Sequence, residues 1–272
     1  MTEVQIDRAF AALTAKISRD RGFGCASYKE RCLRRRIAVR MRARGVHTYD
    51  AYARLLDDDT REYELLLDAL TINVTKFFRN WDAFAALDRL VIPALWSSPH
   101  ESIRIWSAGC ASGEEAYSLA ILFHRHAARA GALARLSRVK VIASDIDRGS
   151  LDQAAKGAYQ EASFADTPAD IRRAYFSATS PYAVHPEVRQ MVRFEHRDLL
   201  RDAPPPGALH LVCCRNVIIY FDRESQEMLF RRFHDALAPG GVLVLGKVET
   251  LLGDARNHFQ PLETRERIFR RL

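Results

Sequence analysis

The chain has 272 residues, 48% of them hydrophobic, and 41 Lys and Arg against 34 Asp and Glu give a formal net charge of +7. That is enough chain for one large domain or two unequal ones with a sizeable core. Runs of about 18 apolar residues are absent, which excludes a transmembrane helix.

The opening MTEVQIDRAFAAL is acidic and helical, unlike a basic-then-apolar signal peptide. Residues 1–75 read as helices only. Ile6, Phe10, Leu13 and Ile17 form one apolar stripe at helical spacing, and Leu33, Ile37 and Met41 form another. The second stripe runs through a basic block. Residues 16–44 hold eleven Lys or Arg against Asp20 and Glu30, whereas residues 45–70 hold seven acids against Arg54 and Arg61. Such a block suits an acidic partner surface or nucleic acid, and the plainer alternative is a solvated helix face. Thr48 and Thr60 are N-cap candidates for two short helices. Asn80 is the candidate cap of a further helix carrying Trp81, Phe84 and Leu87, which is expected to end near Pro93.

The pattern changes by about residue 100. Ile103–Ala108 reads as a strand, followed by Gly109–Gly113 and a helix through Leu122. Val139–Ser144 is a second strand, with a helix near 148–156 after it. Leu209–Cys214 is another. Asp222 caps a helix through Leu237, Gly240-Gly241 turns into the strand Val242–Leu245, and Arg267–Leu272 is expected at a sheet edge. Strands alternating with helices imply a mostly parallel sheet covered on both faces. We place the helical domain over 1–75 and the sheet domain over 76–272, with the change of pattern at about 75–100. Pro204-Pro205-Pro206 marks a surface loop.

The chemistry gathers after the strands. Gly109 and Gly113 lie between a strand and a helix, where a ligand can approach the backbone. Their GxxxG spacing is not the GxGxxG of a diphosphate loop, and Glu114 and Glu115 would repel phosphate. Acids at a helix start also simply favour the helix dipole. S-adenosylmethionine, with an ammonium group and no phosphate, fits this loop better than NAD. Asp145, at the end of the second strand, suits a ribose, and Arg215-Asn216 opens onto the same rim. Five cysteines without a CxxC pair argue against a disulfide framework or a zinc site, and fit a reducing cytoplasm. His124 and His126 read as surface residues on different faces of one helix, and no metal is expected.

The blocks WSAGCASGEEAYSLA, ASDID and CRNVIIYFD, in that order, resemble the chemotaxis receptor glutamate methyltransferase family (CheR). Thr71–Arg79, TINVTKFFR, is similar to the family's T-x-N-x-T-x-F-F-R segment. The resemblance covers nearly the whole chain. It implies an α/β, Rossmann-like methyltransferase sheet domain with helices on both faces, preceded by a small all-α domain. It implies S-adenosylmethionine as cofactor, with S-adenosylhomocysteine as product. Cofactor contacts are implied at Asn73, Thr75, Arg79, Glu115, Asp145, Asp198, Leu199, Arg215 and Asn216. Arg79 and Tyr220 are implied beside the reacting groups. The implied substrate is a glutamate carboxylate on an acidic helical protein, namely a methyl-accepting chemotaxis receptor, met by Arg31, Arg35 and Arg42. The chain departs from the family at Asp198, commonly asparagine, and at Gly246-Lys247-Val248-Glu249-Thr250, which replaces the usual Gly-His-Ser-Glu. The stretch near 177–194 corresponds to the family's small β-subdomain and is short. In some members that subdomain docks a receptor's C-terminal tether peptide.

Methyl transfer to a carboxylate is an in-line displacement that needs no general base, because a glutamate of reference pKa about 4.3 is already ionised at neutral pH. The competing readings are a nucleic-acid methyltransferase, using residues 16–44 on phosphates, and a cofactor-binding module without catalysis. The first is weakened by the lack of an Asn-Pro-Pro-Tyr loop, the second by the presence of Arg79, Asn216 and Tyr220.

Overall fold

The computed structural model describes residues 2–71 and 73–272; Met1, and Ile72 within the Thr71–Arg79 segment, lie outside them. The chain forms two compact units: Met1–Ile72 with Tyr220–Ser225, and Asn73–Ile219 with Gln226–Leu272.

The first unit is helical: α1 (Glu3–Arg21), α2 (Glu30–Ala43), α3 (Tyr49–Asp58) and α4 (Thr60–Thr71). A capping box between Thr2 and Gln5 starts α1, and Gly22 at φ 70° ends it. The expected stripes are buried at Phe10, Leu13 and Ile17 and at Leu33, Ile37 and Met41, but Ile6 is exposed. Tyr52, Leu56, Tyr63, Leu66 and Leu70 complete this core. Thr48 caps α3 by accepting from the Ala51 N–H. Thr60, expected as a cap, is instead the first residue of α4, and Asp59 accepts from the Glu62 N–H at 3.0 Å. An aspartate adds charge to the capping bond at the positive end of the helix. The same unit buries one acid completely. Glu62 takes two hydrogen bonds from Arg40, at 3.0 and 2.5 Å, and one from the Tyr52 hydroxyl at 2.6 Å. Burial opposes ionisation of Glu62, but these donors hold its carboxyl below the usual range.

The second unit carries α5 (Trp81–Ala86), α6 (Ile92–Ser97), α7 (Glu114–Arg129), α8 (Arg148–Lys156), α9 (Ala169–Tyr175), α10 (Pro186–Arg189), most of α11 (Arg223–Ala236) and α12 (Ala255–His258). Its strands are β1 (Ile103–Ala108), β2 (Val139–Asp145), β3 (Ala158–Tyr159), β4 (Tyr182–Ala183), β5 (Val192–His196), β6 (Leu209–Cys214), β7 (Leu237–Leu245), β8 (Phe259–Glu263) and β9 (Ile268–Arg271). Seven of these form one sheet in the order β5-β2-β1-β6-β7-β9-β8. Neighbours from β5 to β7 are parallel; β9 and β8 are antiparallel additions. The chain enters at β1, steps outward to β2 and β5, then returns to β6 on the other side of β1. Alternate residues of β1 serve opposite faces. Ile105 joins the core that includes Leu119 and Phe123 of α7, and Trp106 meets Phe233 of α11 with ring centroids 5.6 Å apart. The two-residue strands β3 and β4 pair separately, while β5 belongs to the main sheet.

Four further expectations are corrected. The helix expected to stop near Pro93 continues to Ser97, because a turn of π-helix over Leu87–Val91 lets Pro93, which lacks an N–H, sit at the start of α6. The β6–β7 ladder already pairs Leu209 with Leu237, and Gly240-Gly241 falls in an irregularity before Val242 meets Leu211. The terminal strand β9 lies inside the sheet; the edge is β8, whose Pro261 donates no hydrogen bond and is tolerated there. His124 is half-buried against Tyr175, its Nδ1 3.3 Å from the hydroxyl. Among the described residues, no helix is long and apolar enough to cross a membrane.

Candidate functional site

The chain reverses direction across the sheet between β1 and β6, and such a switch point leaves a crevice at the carboxyl ends of the strands. The loops leaving β1, β2, β5, β6 and β7 there carry most of the residues expected in the site. After β1, the Gly109 and Cys110 N–H groups donate to the Ser144 carbonyl at 2.8 and 3.0 Å. Gly109 has φ 80°, and a Cβ there would stand 2.6 Å from Val217 Cγ2. Gly113, at φ 92°, similarly faces Ala154 and Phe194. The protein's own packing uses the space that both glycines leave.

Glu115 sits in the first turn of α7. Its carboxylate accepts from Ser107 Oγ at 2.8 Å and lies 3.8 Å from Arg215 Nη1. Burial pushes its carboxyl up, and the nearby Arg215 only partly offsets this. The Arg215 side chain is 2% exposed, its guanidinium 5.1 Å from the Phe84 ring centroid. Its Nη2 donates to the Arg79 carbonyl. Arg215 is therefore a buried strut, and Arg79 belongs to the segment it holds. That segment is anchored by the buried Phe77 and Phe78, whose N–H groups donate to the Ser163 carbonyl and Ser118 Oγ. Asp166 accepts from the Asn80 N–H and from Lys76 Nζ. Phe78 and Asn80 hold left-handed φ values of 53° and 60°, and this network holds them there. The Arg79 guanidinium donates to the Val74 carbonyl, and Thr75 is half-buried.

Asp145 is buried at the end of β2. One carboxylate oxygen accepts from the Ala111 N–H at 2.8 Å and the other from Asp147 at 3.0 Å, so it organises the β1 loop. Burial raises its carboxyl. Asn73 donates from Nδ2 to Asp147, which also caps α8 through Gly149 and Ser150. After β5, Asp198 accepts from the Leu200 N–H, and the Leu199 carbonyl from Arg232. After β6, Asn216 has φ 61°, and its Oδ1 is buried without a hydrogen-bond partner. Tyr220 bonds within the helical unit: its carbonyl accepts from the Lys29 N–H, and its ring faces the Arg36 guanidinium at 5.8 Å. On α2, Arg31, Arg35 and Arg42 are exposed.

Asp147, Asp166 and Glu249 were not expected in the site, although Asp147 lies in the ASDID block and Glu249 in the Gly246–Thr250 segment. All three accept backbone N–H bonds beside segments expected in the site. Among the described residues, no group of three or more His, Cys, Asp or Glu could hold a metal ion. A crevice offering a buried carboxylate at Glu115, another at Asp145 and an orphaned acceptor at Asn216 suits a ligand with an ammonium group and hydroxyls. Such a set of acceptors fits S-adenosylmethionine.

The comparisons with known proteins agree. Residues 8–71 match the family described as "CheR methyltransferase, all-alpha domain", and residues 73–268 match "CheR methyltransferase, SAM binding domain". An "Uncharacterized 104.1 kDa protein in hypE 3'region" from Rhodobacter capsulatus is 39% identical over 90% of the chain, which spans only 26% of that protein's length. A "Chemotaxis protein methyltransferase" from Listeria innocua is 33% identical over 92% of this chain and 93% of its own. "Chemotaxis protein methyltransferase 2" from Pseudomonas aeruginosa is 34% identical over 89% and 86%. With its helical part and its S-adenosylmethionine-binding part both matched, the chain belongs to the CheR methyltransferase family.

Proposed function

We propose that this protein transfers the methyl group of S-adenosylmethionine to glutamate side chains of an acidic, helical protein in the cytoplasm, forming methyl esters, and that chemotaxis receptors are its substrates. The observation that carries the substrate class is the division of labour along α2. Arg34 pairs with Glu30 and Asp7, Arg36 donates to the Ala69 carbonyl, Arg40 pairs with Glu62, and Arg44 with Asp59 and Glu62. Arg31 and Arg35 have no such partner among the described residues, and Arg42 reaches only the Ala38 carbonyl of its own helix. With the half-exposed Val39 they make a stripe one to two turns apart, suited to an acidic helix. The relatives named for chemotaxis support the same class.

The cofactor supplies an electrophilic methyl group, and the acceptor carboxylate is ionised at neutral pH. The protein's part is orientation and exclusion of water, worth about 7–11 kcal/mol of barrier when alignment is good. We assign Glu115, Asp145, Asn216, Asn73, Thr75, Gly109, Asp198, Leu199 and Arg215 to binding the cofactor or shaping its site. Arg79 is assigned to orienting a carboxylate and Tyr220 to the acceptor side. Labelled S-adenosylmethionine and cell lysate test the proposal. Label on protein, released as methanol by alkali, is the expected outcome. Alkali-stable label on DNA or RNA would transfer the function to nucleic acid, and no transfer at all would leave a binding module.

A further inference from the structure

The loop after β7 reads Gly246-Lys247-Val248-Glu249-Thr250, and its acid is turned inward. Glu249 is 3% exposed. Its Oε2 accepts from the N–H of Gly246 at 2.5 Å and of Asn216 at 3.0 Å. Its Oε1 accepts from Val217 at 3.0 Å and Ile219 at 3.3 Å. Burial raises its carboxyl, and the groups that offset burial most are these four backbone N–H dipoles. A carboxylate so placed is acceptor-only at both oxygens, as four converging donors require. The two loops are also pressed together. A Cβ on Gly246 would lie 2.7 Å from the Asn216 nitrogen and 2.7 Å from Glu249 Oε2. Between them Asn216 holds a left-handed φ of 61°, a region that asparagine enters more readily than most side chains.

We propose that Glu249 is a positioning residue that locks the loop after β6 in the conformation presenting Asn216 to the cofactor. The buried, unpartnered Oδ1 of Asn216 is the acceptor that this lock holds in place. The proposal rests on the assignment of Asn216 to the cofactor site. Replacing Glu249 by glutamine keeps its size but turns an amide NH2 toward backbone N–H groups. Aspartate keeps the charge and shortens the reach.

Calorimetry with S-adenosylhomocysteine on the full chain tests this, using Glu249→Gln, Glu249→Asp, Asn216→Ala and the Asn216→Ala/Glu249→Gln double variant. Glu249→Gln should weaken binding about tenfold or more, the usual effect of losing bonds to a charged acceptor. Glu249→Asp should recover part of it. The double variant should bind no worse than the weaker single one, because both act through one loop, and amide exchange should quicken over 216–219 in Glu249→Gln. Wild-type affinity in Glu249→Gln, with Asn216→Ala impaired, overturns the proposal alone. Losses that simply multiply in the double variant also overturn it. Wild-type affinity in Asn216→Ala removes Asn216 from the site and the proposal with it. If both Glu249 variants fail to fold by circular dichroism, Glu249 serves the fold and the positioning role is rejected.

Discussion

Arg215 donates from Nη2 to the carbonyl oxygen of Arg79 over 2.8 Å, tying the loop after β6 to the segment that precedes α5. The same guanidinium lies 3.8 Å from Glu115, so one buried cation braces two parts of the site. Removing one partner of a buried charge pair costs about 3–5 kcal/mol, because the other charge is left unpaired. Arg215→Met should therefore lower stability by that order in urea unfolding. Arg215→Lys should recover little of it, since a lysine has no planar fork with which to reach both oxygens. An unchanged unfolding midpoint in the methionine variant would show that the strut carries no weight.

The assignment of Glu115 to the cofactor's ammonium predicts that binding is linked to pH. In the free protein burial lifts its carboxyl above the usual 4.5. An ammonium beside it favours the ionised form, so the bound state has the lower pKa. Binding then releases protons as pH falls through the raised free-state value, and affinity drops in that direction. Calorimetry in two buffers of different ionisation enthalpy counts those protons. Glu115→Gln should abolish the release and flatten the pH dependence; release that persists would place the linkage elsewhere.

The proposed ribose contact gives Asp145 a second task beside organising the β1 loop, and its variants should separate the two. Its oxygens hold the Ala111 and Asp147 N–H groups, and lone pairs remain for ribose hydroxyls. Asp145→Ala should weaken S-adenosylmethionine binding by about 1.5–3 kcal/mol, the worth of hydrogen bonds to a charged group. It should also speed amide exchange at Ala111. Loosened exchange with intact affinity would restrict Asp145 to organising the loop.

The arginines of α2 divide into two experimental classes. Reversing the exposed Arg35 and Arg42 to glutamate should raise the Michaelis constant for the protein substrate while leaving S-adenosylhomocysteine affinity and melting temperature near wild type. The effect should shrink as salt rises, since exposed charges are screened within about 10 Å at 0.1 M. Arg40→Ala should do the opposite. It strips the bidentate partner from the buried Glu62 and should cost about 3 kcal/mol, the lower end for such pairs because Arg44 stays 3.4 Å away. Glu62 has a depressed folded pKa, so its contribution is present above 4.5 and lost as pH falls through the lower folded value. Arg40→Ala should flatten stability over that acid range.

Much of the fold was legible because its central strands are buried on both faces. Ile103–Ala108 and Leu209–Cys214 stand where their largely apolar runs, broken only by Arg104, Ser107 and His210, placed them. The position of Gly109 was readable but its reason was not, since Val217 reaches it from a loop a hundred residues later. The role of Glu249 was hidden for the same cause: beside Gly246, its partners are backbone N–H groups about thirty residues earlier, which no side-chain pattern announces. The edge strand β8 was hidden by Pro261, which reads as a breaker anywhere but at an edge.

The helical unit is not a continuous stretch of chain. Tyr220–Ser225 belongs to it: the Lys29 N–H donates to the Tyr220 carbonyl and Asp222 to Ser27, both at 2.9 Å, and the Phe221 ring lies 4.9 Å from that of Tyr28. A fragment cut after residue 71 would carry two severed backbone bonds and a bared tyrosine ring. Grafting this unit onto a relative's sheet domain therefore means moving two pieces, the N-terminal helices and a hexapeptide some 150 residues downstream. A chimera built at a single junction would pair each helix bundle with a foreign hexapeptide.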